Sequence, residues 1–150
     1  MSLPSCELLF ITLGSPLLVG IYQNGELKQS LSSDKPSSEA ITELLSELKK
    51  QYKITKIIYA NGPGSFMGLK VAFVALSVFT GVYGCEFGAV SGFSLNGNAP
   101  IAAKKGFSFV LNDDKISLEP VLGVSASLPK RLKNLSISTD VLPNYVLEAV

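Results

Sequence analysis

Along residues 7–32 the apolar positions come in short runs broken by turn residues: 7–13 (ELLFITL), 17–23 (LLVGIYQ) and 26–32 (ELKQSLS). Runs of this length, bounded by Gly, Pro and Asn, predict three β-strands. Gly14-Ser15-Pro16 makes the first break and Asn24-Gly25 the second. The Asn-Gly pair suits the two left-handed residues of a type I′ turn, so an antiparallel meander is expected to open the fold.

The period then lengthens. After a polar stretch containing Pro36, residues Ile41, Leu44, Leu45, Leu48 and Tyr52 recur at helical spacing, with Glu39, Glu43 and Glu47 ahead of Lys49 and Lys50. This predicts an amphipathic helix over 38–52 whose charges follow its dipole. Residues 54–60 (ITKIIYA) read as a buried strand feeding Asn61-Gly62-Pro63-Gly64, and 65–82 as a helix whose only charge is Lys70. Gly81 and Gly84 end that helix; 86–90 predicts a short strand and 91–103 a helix interrupted by Gly97 and Pro100. A hairpin is expected from 107–111 and 115–121 around Asn112-Asp113-Asp114, with only short polar pieces before 145–147. The order β-β-β-α-β-α, followed by lesser elements, predicts an α/β fold: a mixed sheet in which crossover strands extend the meander and helices pack on it.

The helix over 65–82 poses the main question. A helix apolar around its circumference has to be covered on more than one side. Gly64, Gly68, Ala72 and Ala75 fall four, four and three residues apart, a small-residue stripe that lets another helix approach closely. Phe66, Phe73, Leu76 and Phe79 point in neighbouring directions and can pack on a sheet. The groove can be filled by another helix of the same domain or by a second chain, with Leu44 and Leu48 sharing the contact; the residues alone leave both open.

Composition narrows the chemistry. Over 150 residues, 47% are hydrophobic and only 17% charged, which again suggests association surface in a chain long enough for one domain. A net charge of +1 gives no general reason to bind nucleic acid; Lys130, Arg131 and Lys133 form a local basic cluster that reads first as solvated surface. Cys6 and Cys85 lack paired spacing and read as small buried hydrophobes in a reduced, cytoplasmic setting. Between Lys70 and Glu86 there are 15 residues, short of the ~20 that span a bilayer, so no membrane association is expected. Histidine is absent, which excludes Ser-His-Asp and Cys-His hydrolases, HExxH metalloproteases and histidine-ligated zinc.

The glycine turn admits two explanations. Free N–H groups at a helix start can cradle phosphate. Yet the P-loop spacing GxxxxGK[ST] fails, because Met67 stands five positions after Gly62 and Leu69 follows Gly68; the dinucleotide spacing GxGxxG fails at Met67 as well. Alternatively, Gly62 and Gly64 permit a sharp strand-to-helix turn, Pro63 stiffens it and Ser65 caps the helix.

The segment NGPGSFMGLKVAF resembles the signature of the TsaB (YeaZ) family, GPGSFTGLRIG, from Gly62 to Val71, with Met67 for Thr and Lys70 for Arg. The motif loop is thus Gly62, Pro63, Gly64, Ser65, Phe66 and Lys70. Ala89-Val90-Ser91 is similar to the family's GVS, and Leu142-Pro143-Asn144-Tyr145-Val146-Leu147 to its terminal P-x-Y-L. The resemblance implies an actin-like ATPase (ASKHA) fold, with an N-terminal lobe over 1–95 and a reduced C-terminal lobe over 96–150. It also implies a non-catalytic subunit of the machinery that makes threonylcarbamoyladenosine at position 37 of tRNA. Such a subunit pairs with a TsaD-like catalytic chain through its first two helices, and a related surface supports homodimers. ATP and divalent metal are expected on the partners, TsaD-like and TsaE-like, and none on this chain; tRNA is met only within the complex. Interface residues are then expected among Leu44, Leu48, Gly64, Gly68, Ala72 and Ala75. Where related chains carry an acidic residue after the first strand, this one has Thr12-Leu13-Gly14, removing a carboxylate that would hold metal-bound phosphates. A small nucleotide-binding transferase using the loop at Gly62–Ser65 is the alternative.

Overall fold

A computed structural model describes residues 2–145. Its main sheet contains β1 (Ser5–Ile11), β2 (Leu17–Gln23), β3 (Glu26–Ser33), β4 (Lys53–Ala60) and β5 (Glu86–Val90), in the order β3-β2-β1-β4-β5. β1, β2 and β3 form the antiparallel meander; β4 runs parallel to β1, and β5 parallel to β4. The crossovers are α1 (Ser37–Gln51) and α2 (Phe66–Tyr83). Asn24 and Gly25 take φ of 52° and 77°, as a type I′ turn requires.

Both faces of the sheet are covered, which explains why its central strands are apolar at consecutive positions. Leu8, Phe10, Val19, Ile21, Ile57 and Tyr59 face the helices and meet Ala40, Ile41, Leu45 and Leu48 of α1 and Ala72 and Leu76 of α2. The alternate residues Leu9, Ile11, Tyr22, Ile58 and Ala60 share a second core with Phe93, Leu95, Ile101, Phe109 and Leu132. The segment after β5 therefore packs on the face opposite the helices. It carries a small antiparallel sheet of β6 (Ile101–Ala102), β7 (Ser108–Asn112) and β8 (Lys115–Glu119).

Three sequence expectations change. β1 is paired over Ser5–Ile11 rather than 7–13, because Thr12 and Leu13 leave the sheet to bond α2: the Thr12 hydroxyl donates to the Gly68 carbonyl (3.2 Å), and the Leu13 carbonyl accepts from the Ser65 N–H (2.8 Å). The expected helix over 91–103 is only a 3-10 turn, Gly92–Leu95. Gly97 and Asn98 turn left-handed, and the Asn96 amide donates to the Ala99, Pro100 and Val124 carbonyls, holding a turn in place of a helix. The β7–β8 hairpin forms, but tightens to a two-residue turn at Asp113 and Asp114, with φ of 48° and 66°. Of the terminal element at 145–147, only Tyr145 lies among the described residues.

Candidate docking face and the glycine turn

β4 ends on the Asn61 to Gly64 turn, and Ser65 caps α2 by accepting the Gly68 N–H (3.1 Å). The glycines answer to packing within the chain. Gly62 has φ of +128°, and a Cβ there would lie 2.7 Å from the Asn144 carbonyl oxygen. At Gly64 a Cβ would lie 2.8 Å from the Leu13 backbone, and at Gly68 2.5 Å from the Thr12 carbonyl oxygen. These residues bring the first turn of α2 against the chain leaving β1. The same contacts occupy loop donors that a phosphate would need: Ser65 N–H goes to Leu13, and Gly68 N–H to Ser65 Oγ.

A strap from Leu135 to Tyr145 joins two motifs far apart in sequence. Ser138 pairs with Ala89 through both backbone bonds (2.9 and 2.8 Å), extending the sheet edge beside β5. The Tyr59 hydroxyl donates to the Val141 carbonyl. Asn61 donates its side-chain amide to the Leu142 carbonyl (3.3 Å), and its own carbonyl accepts from the Asn144 N–H (2.7 Å). The Tyr145 ring rests 4.6 Å from that of Phe66. Thus Leu142–Tyr145 docks on the Gly62 turn, a contact that sequence spacing does not reveal. Replacing Gly62 by Ala is expected to lower stability by about 1–3 kcal/mol, since it strains φ and presses on Asn144. Gly14→Ala, where a Cβ meets nothing within 4 Å, should leave the thermal midpoint nearly unchanged.

Two of the six expected interface residues, Ala72 and Leu48, are enclosed by the chain itself. Ala72 is 0% exposed and Leu48 2%; both belong to the core between helices and sheet. Gly64 and Gly68 face the end of β1, and Leu44 and Ala75 are half-buried beside the same core. Gly64 and Gly68 thus admit the chain leaving β1, and Ala72 and Leu48 are enclosed by the core, while Leu44 and Ala75 keep part of their surface open. The sheath is one-sided. Met67, Val74, Val78 and Val82 are 62%, 52%, 61% and 70% exposed, forming an open apolar stripe with Lys70 at one end. Val74, Val78 and Val82 recur every fourth residue, a signal visible in the sequence but masked by the apolar residues around it. α2 is long and apolar enough in composition to cross a membrane, yet Leu69, Ala72 and Leu76 are packed within the fold. α1 flanks the stripe at its far end, where the Lys49 ammonium reaches the Tyr83 hydroxyl (3.0 Å), and the Tyr83 ring meets Phe79 (4.5 Å).

Titratable groups give no activated nucleophile among the described residues with shifted pKa. Burial pushes the Cys6 thiol up to about 11 and raises Cys85 too, keeping both protonated near neutral pH. Burial also raises the Tyr22 hydroxyl to about 12 and the Tyr59 hydroxyl further; both donate to backbone carbonyls. The Lys35 ammonium is raised by its hydrogen bond to Glu43 on the surface. Among the described residues no cluster of three acidic or cysteine side chains could hold a metal. In the basic cluster, Arg131 lies 3.8 Å from the Glu26 carboxylate.

No family model and no curated protein matches the sequence. Solved structures do share its fold. YeaZ from Pseudomonas aeruginosa superposes with a TM-score of 0.59 at 17% identity, covering 77% of this chain and 64% of that one. The crystal structure of an uncharacterized protein with similarity to peptidase YeaZ from Pseudomonas aeruginosa gives 0.59 at 16% identity, over 77% and 63%. The chain therefore has a YeaZ-like fold and spans a little under two thirds of the length of either structure.

Proposed function

We propose that this chain is a YeaZ/TsaB-type scaffold subunit: an actin-like lobe with a reduced second lobe that pairs with a TsaD-like catalytic chain in threonylcarbamoyladenosine modification of tRNA. The observation that carries this reading is the exposed stripe of α2. One apolar residue on a surface needs no explanation, but four aligned on one helix, with Lys70 as the helix's only charge, suit burial against another protein. The GPGSF turn, its terminal LPNY segment and the YeaZ-like fold support the choice of partner.

Pairing of this kind buries about 1,200–2,000 Å² in total, and the docking face runs along Met67, Val74, Val78 and Val82 rather than the small side of α2. A scaffold role also fits the absence of histidine, the protonated thiols and Thr12 in place of an early acid. Co-expression with a TsaD-like subunit should yield a complex that survives size-exclusion chromatography. The isolated chain titrated with ATP and magnesium should release no heat above dilution. Separate elution of the two chains would refute the pairing, and a saturable ATP isotherm would favour a nucleotide-binding transferase.

A further inference from the structure

Beside the glycine turn, on the sheet face away from α1, lies a cavity of about 570 Å³. Its floor is made by Ile11 at the end of β1, Leu13 from the chain leaving it, and Ile101 and Phe109 from the small sheet, all buried. Phe66 and Val124, 40% and 50% exposed, lie in its lining, together with Ser15, Ser65 and Ser125, of which Ser65 also caps α2. The volume falls in the range of small-molecule sites, about 300–1,000 Å³.

The walls are braced rather than loosely apposed. Val124 N–H donates to the Pro100 carbonyl (2.7 Å), Ser127 N–H to Leu95 (2.9 Å) and Ser65 N–H to Leu13 (2.8 Å). Gly123 sits against Ala102, where a Cβ would come within 2.4 Å of its backbone nitrogen. Such a cavity cannot easily close on itself, so its apolar floor is pre-formed for a guest. The guest's charge follows from the lining. No Asp or Glu is present to hold a cation. The Ser65 and Gly68 N–H groups at the start of α2 are spent on Leu13 and Ser65 Oγ, and among the described residues the one charged residue in the lining is Lys104.

We propose that this cavity binds an uncharged, mainly apolar small molecule, with a hydroxyl, amine or carbonyl group turned to the lining serines. The site is separate from the outer stripe of α2 and does not depend on the pairing reading. Titrating the full chain with N-phenyl-1-naphthylamine, an uncharged fluorophore, tests it. A saturable rise at one probe per chain is expected, with methyl NMR shifts at Ile11, Leu13, Ile101 and Val124. Ala126→Phe, which fills the cavity, should weaken binding at least tenfold, and Val78→Ser should leave it unchanged. If Ala126→Phe does not fold, the shift map of the unaltered chain decides. Absence of saturation, shifts centred on Val74 and Val78, or tighter binding of the anionic 8-anilinonaphthalene-1-sulfonate would overturn the proposal.

Discussion

Val74→Glu combined with Val78→Glu is expected to abolish capture of a TsaD-like subunit while leaving the chain folded. Both side chains point away from the core, at 52% and 61% exposure, so carboxylates there stay hydrated in the free protein. Exposed substitutions of this kind change stability by about 0.5 kcal/mol or less, and Glu favours helix over Val by a few tenths of a kcal/mol. In a complex the same carboxylates would be desolvated opposite an apolar surface. Stranding a buried charge without a partner costs about 3–5 kcal/mol, and each 1.4 kcal/mol is tenfold in Kd. A loss of at least about a hundredfold in affinity is therefore expected, read by pull-down or calorimetry, with circular dichroism and the thermal midpoint unchanged. Unimpaired capture would remove the outer stripe from the interface.

Ala72→Glu, only two residues from Val74, should behave in the opposite way. Ala72 has no exposed surface and lies in the core shared with Leu8, Phe10 and Tyr59. A carboxyl group there must either remain charged in an apolar core or take up a proton, while displacing its neighbours. A loss of about 4 kcal/mol or more is expected, a large share of the 5–15 kcal/mol that holds a domain folded. Urea denaturation should show a much lower midpoint, or the variant should fail to accumulate. Loss of partner capture by Ala72→Glu would thus report unfolding rather than a broken interface. A native-like midpoint would contradict the burial of this side of α2.

The contrast between Ala72 and Val74 shows where sequence reading stops. The meander, α1 and β5 were legible because turn residues and polar positions mark their ends and faces: Asn24-Gly25 takes the backbone it favours, and α1 buries Ile41, Leu45 and Leu48 as its period predicts. α2 offers no such contrast. With apolar residues all round, its period cannot say which side meets the sheet, and small residues suit a partner helix and a strand end equally well. The decision rests on Thr12 and Leu13 bonding to its first turn, a contact between residues over fifty positions apart. After β5, local preference weakens further. β6 has only two residues and exists through pairing with β7, while the strap is an extended segment held by Ala89, Tyr59 and Asn61. The two motifs of the family resemblance were each visible, but their meeting at Gly62 and Asn144 is a tertiary fact.

Oxidative footprinting of Met67 tests the central claim most directly. Its thioether stands at the head of the open stripe, 62% exposed, and sulfur oxidises readily when solvent reaches it. With the TsaD-like subunit added in excess, the rate of Met67 sulfoxide formation should fall severalfold, and the Val74→Glu, Val78→Glu chain should show no such protection. An unchanged rate in the unaltered chain would mean that the outer face of α2 stays in water and is not where a partner docks.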